Sequence, residues 1–171
     1  MRVSLLAVVS LAAACSKGPA RDAPSADVPL KPGAGSGSTA PAIPLARVTL
    51  DGARGPAVVS AEVVKSAGRV QKGLMFRKFL PADGGMLFLM DREDDHHFWM
   101  HNTYVALDIM FIRKDLTVAG ILENVRPHDE TSRGVGQQSL YVLEVNAGWS
   151  KAHGVGPGTV VHFDGVDAAA Q

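Results

Sequence analysis

The sequence predicts a mainly β domain, a small β-sandwich or barrel with one or two short helices. Short apolar segments of about five or six residues recur along the chain and are separated by Gly, Asp and Asn, as is typical of strands. Residues 67–75 instead combine polar residues with Val70 and Leu74 at helical spacing, which predicts one short helix. Many short strands with little helix favour a sandwich or barrel.

The individual elements follow in chain order. A β-branched run predicts a strand over residues 58–64, and the helix after it is expected to end near Gly73. Residues 125–138 contain Pro127, Gly134 and Gly136, which predict a long, mobile loop of a kind that often serves function. The remaining strands are predicted at residues 86–90, 97–101, 107–113, 116–122, 140–145 and 158–163, with a turn at 114–115 and a helical turn at 148–153.

The N-terminus has the pattern of an export signal. Arg2 supplies a positive charge, and residues 3–14 form an apolar run that is too short to span a bilayer. Small residues precede Cys15, so we expect residues 1–14 to be a signal peptide and Cys15 to carry a lipid anchor. Ordinary cleavage before Cys15 is the alternative. Ser16 after the cysteine favours anchoring in the outer membrane, with the protein facing the periplasm of a bacterial envelope.

The rest of the chain divides into a tether, one domain and a tail. Residues 16–44 hold six of the ten prolines and no aromatic residue, so they cannot bury enough apolar surface to fold. We therefore predict a lipidated, disordered tether over residues 15–44. Residues 45–164 are long enough for one compact core, and residues 165–171 form a flexible tail.

Charge and cysteine content exclude several functions. The 17 basic and 17 acidic residues balance, and removal of the signal with Arg2 leaves a net charge of 16 − 17 = −1, so nucleic acid is not an expected partner. Cys15 is the single cysteine, and a lipid on it would exclude a disulfide and a thiol nucleophile. We expect a monomer without a cofactor that is attached to the membrane through a lipid. Its expected partner is a small molecule or an envelope protein.

Five ordered blocks set polar residues inside apolar, strand-like segments: residues 73–77, 84–88, 98–103, 107–111 and 141–144, followed by Gly148. Their order and spacing resemble the widespread prokaryotic family known as domain of unknown function 192. The resemblance covers residues 58–163 and is far more specific than a single short motif. It implies a mainly β, jelly-roll-like sandwich and no established activity.

Two carboxylates interrupt apolar strands. Strand alternation puts Asp108 on the same face as Met110 and Ile112, and Glu144 on the same face as Val142, so each is expected to need a partner when buried. Arg77 is the candidate partner of Asp108, because a guanidinium grips a carboxylate with two hydrogen bonds. The polar groups form either a network that fixes strand register or a cleft. In the cleft, Asp108 and Glu144 would be acid and base, and Arg77 would bind an anionic or sugar substrate.

Residues 99–103 suggest a second kind of site. Trp99 with Asn102 and Thr103 places a flat ring beside amide and hydroxyl groups, as on sugar or small-ligand surfaces, although the same residues are common in cores and turns. On a strand, His97 and His101 would share a face, and with the Met100 thioether they suggest copper or zinc. The family pattern requires no histidine here, so no metal is favoured.

The leading hypothesis is a non-catalytic accessory module of the cell envelope that binds a ligand or partner. The alternatives are an enzyme acting on carbohydrate or another envelope polymer, a copper or zinc site, and a purely structural contact with another envelope protein. The predicted binding cleft consists of Arg77, Trp99, Asn102, Thr103, Asp108 and Glu144.

Overall fold

A computed structural model describes residues 43–166. The predicted signal peptide, Cys15, nearly all of the tether and most of the tail lie outside these residues. Within the described part of the chain, no helix is long and apolar enough to cross a membrane. The elements are β1 Leu45–Gly52, β2 Gly55–Val64, α1 Ala67–Lys72, β3 Gly84–Asp94, β4 Leu107–Ile112, β5 Val118–Val125, β6 Ser139–Asn146, α2 Trp149–His153 and β7 Val161–Asp164.

The strands form one seven-stranded sheet in the order β5-β4-β6-β3-β2-β1-β7. Neighbours are antiparallel except β2 and β3, which run parallel and are joined by the crossover that contains α1. The ladder does not close, but the sheet curls until its edge strands meet at one corner, where the Val118 amide donates to the carbonyl of Thr159 at 2.9 Å. This confirms the prediction of a mainly β, sandwich- or barrel-like fold with one or two short helices, of which the structure has two.

Each face of the sheet has its own apolar core. The inner core collects residues from all seven strands, including Leu87, Met110 and Leu143. The outer core covers the other face of β3, β4, β5 and β6 with residues from the segments after α1 and after β3, such as Leu74 and Met100. All six residues of β4 are buried, and apart from Asp108 they form a continuous apolar run rather than an alternating one, as is typical of a strand covered on both faces.

Most predicted elements are confirmed, although the bounds of several differ, as in β3 and β7, and there are three further differences. β1 was not predicted as a strand. The predicted strand at residues 97–101 is wrong, because this segment turns at Asn102 and makes only one bridge, from Phe98 to Arg133. β5 starts two residues later than predicted, because the side chain of Asp115 accepts hydrogen bonds from both the amide and the hydroxyl of Thr117 and extends the turn.

Candidate functional site

Glu144 lies in the middle of the sheet, on the face of the outer core. Its pairing partners on the neighbouring strands are Met86 in β3 and Ile109 in β4, both of which are buried in that core. Only 5% of Glu144 is exposed, and its Oε2 atom has no hydrogen-bond partner among residues 43–166. The alternating pattern of β6 thus places a carboxyl group where an apolar residue would be expected.

Burial controls the ionisation of this carboxyl group. Loss of hydration disfavours the charged form and raises the pKa of Glu144 to about 8. The side chain is therefore mainly protonated at neutral pH, so that it can both donate and accept a hydrogen bond.

A cavity of about 150 Å³ opens over Glu144. The segment that ends α1 and the segment after β3 form its walls. Trp99 is 46% exposed and stacks on His101, with ring centroids 4.9 Å apart. The wall is largely apolar and aromatic, with Leu74, Met75, Phe88, Met90, Phe98 and Trp99, and its polar side chains are Gln71, Lys72, His97, Thr103 and Glu144.

Backbone hydrogen bonds tie three loops together beside the cavity. The amide of Phe76 donates to the carbonyl of Asn102 at 2.8 Å, and the amide of His128 donates to the carbonyl of Thr103 at 3.2 Å. Phe76, Asn102 and His128 all have left-handed φ angles, of 65°, 52° and 57°. For a bulky side chain such as Phe76 this conformation is strained by about 1–3 kcal/mol. Strain of this kind tends to occur at functional sites.

The predicted loop after β5 packs against the same region. The side chain of Asp129 accepts a hydrogen bond from Arg133 at 2.7 Å, and this contact, aided by Thr131, lowers the pKa of Asp129 to about 2. The backbone carbonyl of Asp129 accepts from the amide of Met100 at 2.9 Å. An ionised Asp129 therefore shapes the loop that supports the cavity wall.

Arg77 does not pair with Asp108, so that prediction is wrong. Its Nη1 and Nη2 atoms each donate to a different carboxylate oxygen of Glu62 at 2.5 Å. This hydrogen bonding is the main cause of the raised pKa of Arg77, while burial acts in the opposite sense. The pair fastens the segment after α1 to β2, on the sheet face that also carries Glu144.

Asp108 points to the opposite face of the sheet. It pairs in register with Val145 of the inner core, whereas its neighbour Ile109 pairs with Glu144. Its Oδ1 accepts from the amides of Asn124 and Gly148, and its Oδ2 accepts from the amide and the hydroxyl of Ser150 at 3.0 and 2.6 Å. Asp108 thus anchors the start of α2. The predicted acid–base pair with Glu144 is wrong, because the sheet separates the two carboxyl groups.

The structure brings together only part of the predicted cleft. Trp99, Thr103 and Glu144 line the cavity, and Asn102 holds the adjoining turn, while Arg77 and Asp108 are used elsewhere. The predicted metal ligands do not converge: Met100 is fully buried in the outer core, and His101 contacts Glu130 at 2.9 Å. Among residues 43–166, no three His, Cys, Asp or Glu side chains lie close enough to hold a metal ion.

Sequence reasoning missed Glu62 and the aromatic wall. Glu62 interrupts the β-branched run of residues 58–64, so this carboxylate, like Asp108, was to be expected to need a partner. Phe88 and Phe98 lie inside the ordered blocks but carry no local signal that they face a cavity. Their ring centroids are 5.2 Å apart in an edge-to-face arrangement.

Comparisons with known proteins agree with this fold. No curated protein matches the chain. A crystal structure of a protein of unknown function from Novosphingobium aromaticivorans DSM 12444 is 38% identical, with a TM-score of 0.67, over 69% of this chain and 84% of that one. A protein from Sinorhizobium meliloti 1021, described as a candidate transcription regulator, is 36% identical, with a TM-score of 0.68, over 71% of this chain and 95% of that one.

The family assignment rests on the greater part of the chain. The sequence model of the DUF192 family, whose description is "Uncharacterized ACR", matches residues 47–163. This range contains every strand of the sheet except the ends of β1 and β7, together with all of the cavity-lining residues. The chain belongs to the DUF192 family.

Proposed function

We propose that this protein is a non-catalytic binding module of the cell envelope that holds a small ligand in the cavity over Glu144. The observation that carries the proposal is a buried carboxyl group, with an unpartnered oxygen, at a cavity that opens to solvent. A pocket that is mostly apolar and carries a few polar groups is the usual form of a small-ligand site.

The energetic cost of Glu144 supports a functional role. A buried polar atom without a partner costs about 1–3 kcal/mol, and an apolar residue at this position would avoid that cost. The strained backbone at Phe76 adds a second cost beside the same cavity. A ligand that bonds to Glu144 and contacts the surrounding loops would offset both costs.

Binding is favoured over catalysis because, among the described residues, no second buried acid or base lines the cavity with Glu144, and the other titratable side chains on its wall, Lys72 and His97, are exposed. Asp108 lies across the sheet, and Glu62 on the same face is engaged by both terminal nitrogens of Arg77. General acid–base chemistry on a polymer needs two groups that face one substrate.

The proposed location comes from the N-terminal sequence. A signal peptide over residues 1–14 and a lipid on Cys15 would anchor the protein, and residues 16–44 would hold the domain away from the membrane. The serine after Cys15 supports the outer membrane, with the domain facing the periplasm. We expect labelled palmitate to be incorporated by the wild type and not by Cys15→Ser. Equal labelling would refute the anchor.

Native mass spectrometry tests the binding function. The full-length protein, extracted from cell envelopes in mild detergent without added metal, is expected to carry a stoichiometric organic mass. Glu144→Leu is expected to lose that mass, because it removes the polar group at similar volume. Glu123→Leu, on the exposed side of β5, is the matched control and should keep it. An extra mass that persists in Glu144→Leu, or is absent from the wild type, would count against this cavity as the site.

A further inference from the structure

We infer that the ligand of this cavity presents a small organic cation, an alkylammonium group, to Glu144 and the aromatic wall. The inference rests on the proposed function and adds the chemical class of the ligand. A cavity of about 150 Å³ holds a molecule of about the size of benzene, so the bound group is a small amine or the amine end of a larger molecule.

The buried polar groups of the cavity favour a ligand that donates hydrogen bonds. Glu144 offers two carboxylate oxygens when ionised, and one of them, Oε2, has no partner in the part of the chain that the structure describes. Thr103 is also buried, with 5% of the residue exposed. Its hydroxyl donates to the carbonyl of His101 at 3.3 Å, so the oxygen lone pairs can still accept a hydrogen bond from a ligand. An ammonium group has only donors, and it would find acceptors on both side chains.

The apolar wall also favours a cation. Phe88, Phe98 and Trp99 lie on the cavity wall, and aromatic rings, Trp most of all, attract ammonium groups through the negative potential of their faces. Among residues 43–166, no buried side chain supplies this cation. Arg77, on the same sheet face, is bound at both terminal nitrogens to Glu62, and Lys72 is exposed and makes no ion pair within the described residues.

Other ligand classes fit the cavity less well. A sugar ring carries several hydroxyl groups, and each one buried without a partner would cost about 1–3 kcal/mol. Of the described residues that line the cavity, two polar side chains are buried, Thr103 and Glu144, and these would have to meet them. An anion would face a carboxyl group with no buried cation beside it.

Binding of a cation is coupled to one proton. The Glu144 carboxyl releases its proton to solvent, and the carboxylate that remains pairs with the ammonium group, so that charge and atoms balance. Lys72 and His97 are the other titratable side chains on the wall, and the Glu62–Arg77 pair lies two strands away on the same face. Lys72 and His97 are exposed, whereas Glu144 is buried, so Glu144 is the titratable side chain of the wall that a bound group would meet away from solvent.

Isothermal titration calorimetry on the full-length protein tests this coupling, with n-butylammonium chloride and neutral 1-butanol as probes. We expect the affinity for butylammonium to rise about tenfold for each unit of increasing pH between pH 6 and pH 8, and to become constant above pH 8. Paired buffers of different ionisation enthalpy should report release of about one proton per ligand. Glu144→Gln should lose at least tenfold in affinity and all of the proton release, while Glu123→Gln should match the wild type.

The outcomes separate the two proposals. Butanol binding as tightly as butylammonium, a flat pH profile, or retained binding in Glu144→Gln would each overturn the cation while leaving the cavity open to a neutral ligand. In that case an organic mass that still depends on Glu144 would preserve the proposed function. Failure of both probes together with a bare wild-type mass would overturn both proposals. Near-ultraviolet circular dichroism checks that each variant is folded.

Discussion

Stability of the folded domain should fall as the pH rises from 5 to 7, because Glu144 keeps its proton when folded and loses it when unfolded. Its pKa is raised by burial from the ordinary value of 4.5 to about 8. Between these values the folded protein binds one more proton than the unfolded chain, so stability decreases with pH. The contribution is fully present below pH 4.5 and is lost as the pH passes through about 8.

The size of the effect follows from the same two pKa values. Each pH unit between them lowers the free energy of unfolding by about 1.4 kcal/mol, which gives about 2.5 kcal/mol from pH 5 to pH 7. Other groups also titrate, so the effect is best isolated as a difference between variants. Glu144→Gln has a similar shape and no titrating proton, so its stability relative to the wild type should rise by that amount over this range.

Urea denaturation at pH 5, 6 and 7 measures this difference. The gap in free energy of unfolding between Glu144→Gln and the wild type should widen steadily with pH. Glu123→Gln, which makes the same chemical change at an exposed position, should show a constant gap. A gap for Glu144→Gln that stays within about 0.5 kcal/mol would refute the argument that Glu144 is buried and neutral in the folded protein.

Three further predictions test the framework around the site by urea denaturation. Asp108→Ala should lose about 3 kcal/mol or more of unfolding free energy, because it leaves the buried amide and hydroxyl of Ser150 and the partly buried amide of Gly148 without their acceptor, and a loss below 1 kcal/mol would contradict that role. Gly85→Ala should lower the free energy of unfolding by about 1–3 kcal/mol, because a Cβ atom there would lie 2.7 Å from the carbonyl oxygen of Glu144. Unchanged stability would mean that β6 can shift to make room at little cost. A double-mutant cycle of Glu62→Gln and Arg77→Met should give a coupling of about 1 kcal/mol, and additive losses would mean that the pair contributes no net stability.

The two carboxylates show how far sequence reasoning reached. Alternation along β4 and β6 correctly placed Asp108 and Glu144 in buried strands, where each needed an explanation. It could not relate the two strands to each other, because a shift of one residue in register moves every side chain to the other face. The observed register pairs Asp108 with Val145, and this puts the carboxyl groups on opposite faces.

The segment around Trp99 shows a different limit. Its apolar and aromatic residues predicted a strand, but Phe98 makes a single bridge and Asn102 takes a left-handed turn. The segment is hydrogen-bonded to the loop after β5, for example through the Met100 amide and the carbonyl of Asp129. Contacts from thirty residues further along the chain leave no trace in the local pattern, so the cavity wall could not be predicted.

The sequence alone determined the mainly β class, most strands, the two short helices and the family, because these depend on local periodicity and on the order of short blocks. The sheet register and the packing of separate loops decided which polar residues meet. As a result, Arg77 pairs with Glu62 and Asp108 binds the start of α2. Glu144 lies beside a cavity, with one oxygen that has no partner among the described residues. The physical reason is that burial repeats along the chain with a fixed period, whereas contacts between distant segments depend on the energy of the whole fold.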